Sequence, residues 1–97
     1  MTPLPTLAEF APLQGERFAL YADGAEWVVA ELLSARSLGL AAGDGREPFS
    51  LMFAGPAEPR LPQRIYRLQH PRLPALDLFL VPVAADAMAT RYEAVFT

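Results

Sequence analysis

The chain alternates apolar and polar residues along most of its length, which is the pattern of β-strands with one face in a core. The segment 17–21 is the first example, and Phe49, Leu51 and Phe53 repeat the spacing. The pattern predicts six strands, over 17–21, 26–36, 47–54, 64–70, 76–83 and 91–96. The side chains predicted to face inward are Phe18, Leu20, Val28, Ala30, Leu32, Phe49, Leu51, Phe53, Tyr66, Leu68, Tyr92, Ala94 and Phe96.

Two of these segments raise further questions. Residues 30–36 would also suit a helix, although Val28-Val29 and the preceding turn favour a strand. The segment 76–83 is apolar on both faces apart from Asp77, as expected for a central strand that is covered on both sides. Pro82 predicts either the end of this strand or a bulge within it.

A short helix is predicted near the N-terminus. The segment 6–10, Thr-Leu-Ala-Glu-Phe, matches a capping box, in which the threonine and the glutamate bond to each other's backbone. Pro12 and Gly15 end the helix after one or two turns. We therefore expect Leu7 and Phe10 to cover one end of the core.

The connections between strands are too short for the crossovers that parallel strands need. Asp23-Gly24 is a hairpin signal, 38–45 is a glycine-rich loop, 55–62 is a proline-rich surface connection, and 71–74 is a tight connection. The fold is therefore expected to be mainly β: a six-stranded antiparallel small barrel or sandwich with one short N-terminal helix. Residues 1–97 are expected to form a single domain.

Composition narrows the function classes. The chain is 53% hydrophobic and 20% charged, as in globular proteins, and it has no cysteine. A net charge of −3 with no visible basic face argues against a nucleic-acid partner. The N-terminus lacks the features of a signal peptide, and the apolar runs are too short for a membrane helix. A cytoplasmic location with no membrane partner is expected.

The only histidine, His70, is where a catalytic hypothesis would start. A general base needs an orienting acceptor and a hydroxyl within hydrogen-bond reach, and Asp77, Ser50 and Tyr66 are the candidates. These residues match no nucleophile motif such as G-x-S-x-G. The sequence therefore favours a histidine at a hairpin end that bonds to the backbone beside Pro71.

Metal and phosphate sites are not predicted. One histidine, no cysteine and no carboxylates at EF-hand or HExxH spacing leave no ligand set for a metal. The glycine-rich residues 39–45 lack the lysine and hydroxyl of a phosphate loop. Arg67 and Arg91 lie on strands that could be neighbours, near Glu93 and Asp77. Cross-strand ion pairs explain these arginines better than an anion site does.

The aromatic residues admit two interpretations. They could line a ligand cavity, but in so small a domain core packing is favoured because side chains only just fill the interior. Trp27 and Phe79 are exceptions, since the alternation places them opposite the main inward face. If both are exposed, they form an apolar patch that could bind a partner.

Several motifs together resemble a known family. They are Phe10-x-x-Leu13-x-Gly15-x-x-Phe18, the segments 46–51 and 78–83, Tyr66-Arg67-Leu68-x-His70-Pro71, and the segment 91–96. In this order they resemble a family of small bacterial proteins of about this length that is known as a domain of unknown function. The resemblance implies no catalytic residues or cofactor. It implies a gene neighbourhood that encodes phage-tail-like proteins.

These observations lead to an expected function and two alternatives. The first expectation is a non-enzymatic protein-interaction or assembly module, accessory to a phage-tail-like structure, with a protein partner or a homo-oligomeric state. It assigns no catalytic, cofactor-binding or metal residues. The alternative is a small β-barrel that binds an apolar or anionic small molecule between its strands. An enzyme that uses His70 is the third hypothesis.

Overall fold

The computed structural model describes residues 5–39 and 47–96 and shows a closed barrel. Helix α1 (Leu7–Phe10) runs into a 3-10 turn (Ala11–Leu13). Six antiparallel strands follow, in the barrel order β1-β2-β3-β6-β5-β4. Their bounds are β1 Arg17–Ala22, β2 Ala25–Ser37, β3 Phe49–Pro56, β4 Arg64–His70, β5 Leu73–Ala85 and β6 Ala89–Phe96. The predicted six-stranded antiparallel fold with one short helix is confirmed, and the barrel is the correct form.

The predictions for the N-terminal stretch 1–5 and for the loop 38–45 fall mostly outside the described residues. The capping box at the start of α1 lies among the described residues. The Glu9 carboxylate accepts a hydrogen bond from the backbone N–H of Thr6 at 3.2 Å, as the motif predicts. The segment 30–36 is strand, so the helical alternative is wrong. At the first hairpin, Asp23 and Gly24 have φ values of +55° and +79°, which suit a turn that follows the twist of the strands.

Two long strands turn the corners of the barrel. The first part of β2 pairs with β1 and the rest with β3, and the register shifts between Leu32 and Ser34. In the same way β5 pairs first with β4 and then with β6, with a shift between Pro82 and Ala84. Bulges of this kind let one strand pass from one half of a barrel to the other. The predicted bulge at Pro82 is therefore confirmed, and β5 continues beyond it to Ala85.

The prediction for β5 was wrong in two respects. The strand begins at Leu73 because His70 pairs with Leu73 across a two-residue turn, so 71–74 is not all connection. The strand is also not covered on both faces: its inward leucines are buried, whereas Phe79 is 51% exposed. A closed barrel has one interior, and in residues 5–39 and 47–96 no second layer covers the outer side chains of this strand.

The core is a single cluster of buried side chains that fill the barrel. All the residues predicted to face inward are buried except Phe96, which is partly buried. The Phe96 ring stacks on that of Phe49, with 4.4 Å between the ring centroids. Phe10 and Leu13 close one end of the barrel, where the Phe10 ring contacts those of Phe18, Phe49 and Phe96. The expectation that Phe10 covers one end of the core is confirmed.

The segment before β4 lies at the opposite end of the interior and is held by two tyrosines. The hydroxyl of Tyr92 accepts a hydrogen bond from the buried N–H of Leu61 at 2.8 Å. The hydroxyl of Tyr66 donates to the carbonyl of Pro62 at 2.6 Å. Both rings are fully buried, and so is Leu61, at 2% exposure. Two adjacent backbone groups are therefore fixed by side chains from two different strands.

We predict that Tyr92→Phe destabilises the fold more than Tyr66→Phe does. Removal of the Tyr92 hydroxyl leaves the buried N–H of Leu61 without an acceptor, which costs about 1–3 kcal/mol. The carbonyl of Pro62, an exposed residue, can bond to water instead. Urea unfolding of both variants measures the difference, with Tyr21→Phe as the control. Equal losses for the two buried tyrosines would contradict this assignment.

The alkaline stability of the protein should depend on Tyr66. Burial raises the pKa of the Tyr66 phenol above its ordinary value of 10.0. The folded state thus holds this proton more tightly than the unfolded chain, so the stabilisation is complete below pH 10.0 and is lost as the pH rises towards the raised pKa. In Tyr66→Phe the free energy of unfolding should fall less steeply above pH 10.0 than in the wild type. Parallel pH profiles would refute the prediction.

Candidate functional site

His70 is the last residue of β4, and its side chain is only 4% exposed. The imidazole lies against the Phe18 ring, with 4.6 Å between the ring centroids. The backbone N–H of Arg72 donates to Nδ1 at 3.1 Å, and Nε2 lies 2.7 Å from Oε1 of Glu16. Because Nδ1 accepts a hydrogen bond, the ring proton is on Nε2 and is donated to the carboxylate. The predicted backbone contact of a hairpin-end histidine is confirmed.

The carboxylate that holds His70 belongs to Glu16, 54 residues away in the chain. Gly15, at a φ of +89°, leads into β1, and its N–H donates to the carbonyl of Leu32 at 2.7 Å. The N–H of Leu32 donates in turn to the carbonyl of Glu16 at 3.0 Å. Arg72 also reaches this carboxylate, with Nη1 3.4 Å from Oε2. No local pattern pairs residues so far apart, so the alternation of residues does not predict the role of Glu16.

The residues proposed as catalytic partners are not assembled around His70. Asp77 is paired with Arg67, and Ser50 lies on β3, which is not a neighbour of β4 in the barrel. The hydroxyl of Tyr66 is bonded to the connection before β4. Both imidazole nitrogens are already engaged in hydrogen bonds. In this arrangement neither nitrogen is free to accept a proton from a substrate.

Arg67 and Asp77 face each other across the β4–β5 ladder. Their ion pair is bidentate, with Nε 3.0 Å from Oδ1 and Nη2 3.3 Å from Oδ2. The hydrogen bond to Asp77 raises the pKa of the Arg67 guanidinium. The predicted cross-strand ion pair is thus confirmed for Arg67. Arg67 and Arg91 are not on neighbouring strands as expected, because β5 separates β4 from β6.

Trp27 is less exposed than the alternation suggests. The register shifts between Leu20 and Tyr21, whose partners on β2 are Val28 and Glu26, so Trp27 is the extra residue of a bulge. Its ring lies 6.0 Å from that of Tyr66, and the Arg64 guanidinium sits 5.4 Å from its centroid. Trp27 is 37% exposed. It therefore packs at the edge of the core and makes only a limited surface patch.

Phe79 has a different apolar neighbour. It pairs directly across the ladder with Ile65, and the two side chains are 51% and 58% exposed. The outward row next to them is the Arg67–Asp77 ion pair. We call these four residues the β4–β5 face. A surface groove of about 430 Å³ lies beside the face, and both this ion pair and Arg64–Asp23 contribute to its lining.

The buried aromatic residues pack the core. Phe18, Phe49, Phe53, Tyr66 and Tyr92 are each 1% exposed or less and belong to one cluster. A second surface groove, of about 410 Å³, lies on the outer side of β1, β4 and β5, and its lining includes His70 together with Ala19, Gln69 and Leu73. The interpretation of the aromatics as core is therefore confirmed.

Among residues 5–39 and 47–96, no cluster of three or more histidine, cysteine, aspartate or glutamate side chains could hold a metal ion. In the same residues, no helix has the length and apolar character needed to cross a membrane.

We predict that His70 is a stability determinant. His70→Ala removes a buried ring from Phe18 and leaves Oε1 of Glu16 without the imidazole donor, which should lower the free energy of unfolding by about 2 kcal/mol. Gln69→Ala, at an exposed position of the same strand, is the control and should have little effect. Thermal and urea unfolding measure both. Equal stability of the two variants would show that the Glu16–His70 contact does not stabilise the fold.

Comparison with known proteins places the chain in a family. No curated protein and no solved structure gives a significant match. A family model described as "Domain of unknown function (DUF6916)" matches residues 5–96, which include α1, all six strands and the Glu16–His70 contact. The chain belongs to the DUF6916 family of domains of unknown function.

Proposed function

We propose that the protein is a non-enzymatic protein-interaction or assembly module that binds its partner through the β4–β5 face. The observation that carries the proposal is the exposed cross-strand pair of Ile65 and Phe79, each more than half accessible. Aromatic side chains and arginines are enriched at protein interfaces, and here Phe79 lies beside Arg67 with Ile65 extending the apolar part of the face. Single exposed apolar residues are common, whereas adjacent ones are more informative.

The surroundings of His70 support the non-enzymatic part of the proposal. Its two nitrogens are held by Glu16 and by the backbone of Arg72, and its side chain is almost fully buried. This histidine therefore has the environment of a structural residue. The reactive groups that the sequence suggested as its partners lie elsewhere in the barrel or in other ion pairs.

A bacterial cytoplasm and an accessory role in a phage-tail-like structure are the proposed setting. The bacterial source and the tail-like assembly are what the family resemblance and its gene neighbourhood imply, and the cytoplasm is the location expected from the sequence. A small barrel with a compact contact face could join a larger assembly through its side chains. Co-sedimentation of the chain with tail-like particles from cell extracts would test this setting, and its absence from such particles would refute it.

The alternative function, binding of an apolar or anionic small molecule, has weaker support. The groove beside the β4–β5 face contains two arginines, which would suit an anion. Each arginine, however, is already paired with an aspartate: Arg64 with Asp23 and Arg67 with Asp77. An anion would have to displace these carboxylates. A thermal-shift titration with inorganic phosphate tests this alternative, which predicts a rise in melting temperature.

Site-specific photo-crosslinking tests the interaction module. A photoreactive phenylalanine analogue at Phe79 should capture a protein in the cells that naturally produce the chain. The same analogue at Val29 is the matched control, because Val29 is 43% exposed and lies on β2, the strand farthest from β5 around the barrel. Adducts from position 79 alone, identified by mass spectrometry, support the proposal. No adducts, or the same adducts from both positions, would refute it.

A further inference from the structure

The β4–β5 face is complementary to itself. Ile65 lies opposite Phe79, and Arg67 lies opposite Asp77, in two rows of one antiparallel ladder. One row thus joins two apolar side chains, and the other joins a basic side chain to an acidic one. In the charged row the two members have opposite signs and are bonded to each other.

We propose that this face binds a second copy of the chain about a two-fold axis that runs between β4 and β5, parallel to the strands. Such a rotation exchanges the two members of each cross-strand pair. Ile65 of one copy then faces Phe79 of the other, and Arg67 faces Asp77. Sheets packed face to face keep their strands within about 30° of each other, about 10 Å apart. This inference rests on the proposed function, and it identifies the partner of the interaction module as a second copy of the chain.

The charges of the β4–β5 face suit a second copy of the chain. The chain carries a net charge of −3, so two copies repel each other unless their contact brings opposite charges together. The two-fold arrangement does so twice, because each Arg67 approaches an Asp77 of the other copy while it keeps its own. Four charges would form one alternating network, and no like charges of this row would face each other directly.

The extent of the face indicates a reversible dimer. A standard interface buries about 800 Å² on each partner, which is about one seventh of the 5839 Å² accessible surface of this structure. The four residues of the face would need support from neighbours to reach that area. Val95 on β6 is one candidate, because it is 54% exposed. Val81 pairs with Glu93, and Phe79 and Val95 each lie two residues from this pair on the same side of it, so they occupy adjacent positions on β5 and β6. We therefore expect a concentration-dependent monomer–dimer equilibrium.

The first measurement is sedimentation of the purified full chain over a concentration series. The wild type should approach twice its mass of 10.6 kDa as concentration rises. Phe79→Asp should raise the dissociation constant at least about tenfold, because it places charges against apolar side chains. Val29→Asp, at a position on β2 that is 43% exposed, should leave it unchanged. A wild type that stays monomeric, or a Phe79→Asp variant that dimerises normally, would overturn the proposal.

The second measurement tests the symmetry itself. In Arg67→Asp all the facing charges of the row are acidic, and in Asp77→Arg all are basic, so each variant alone should be monomeric. An equimolar mixture should form heterodimers, because the acidic row of one copy meets the basic row of the other. High salt should weaken these heterodimers, since exposed charges are screened. A mixture that stays monomeric, while circular dichroism shows both variants folded, would overturn the two-fold arrangement.

These results are distinguishable from those of the crosslinking experiment. If the photoreactive analogue at position 79 captures a different protein while the purified chain remains monomeric, the interaction module stands and a second copy as the partner is excluded. If the analogue captures a second copy of the chain, the crosslinked peptides of that copy should come from β4 or β5. Crosslinks that lead to other strands of the second copy would overturn the proposed axis.

Discussion

Closure of the sheet gives this protein one apolar interior, and that closure depends on two bent strands. β2 and β5 each have 13 residues and pair with one neighbour over their first part and with another over the rest. The change of partner coincides with a bulge in both strands. A bulge adds a residue on one side, so it bends the strand and moves subsequent side chains relative to the partner. The two bulges therefore determine which side chains meet inside the barrel.

The two ends of the interior are closed in different ways. At one end the apolar rings of Phe10 and Phe18 pack together, which requires only shape. At the other end a connection between strands supplies Leu61, and its backbone must be satisfied as well as packed. The hydroxyl of Tyr92 accepts from this backbone without leaving the core. A buried tyrosine thus combines the volume of a core residue with a hydrogen bond at its tip.

The alternation of residues predicted most of this fold, because it reports which side of a strand is buried. It identified all six strands and most of the core residues, since each of those assignments depends on local spacing. It could not predict the strand order, in which β3 pairs with β6, or the contact between Glu16 and His70. Both join distant parts of the chain. It also overestimated the cover on β5, because composition alone does not show whether a second layer exists outside the strand.

The outer surface follows from the same register as the core. Once Tyr66 and Leu78 are fixed inward as a pair, the pairs on either side of them must face outward. The register then sets Ile65 against Phe79 and Arg67 against Asp77, whatever their function. An ion pair between exposed strand residues contributes little to stability, because water screens it and two long side chains must be ordered. Stability alone therefore explains little of why a charged pair of opposite sign adjoins an exposed apolar pair. A contact with a second copy uses both rows at once, which is why the β4–β5 face, rather than the buried histidine, is where function is proposed.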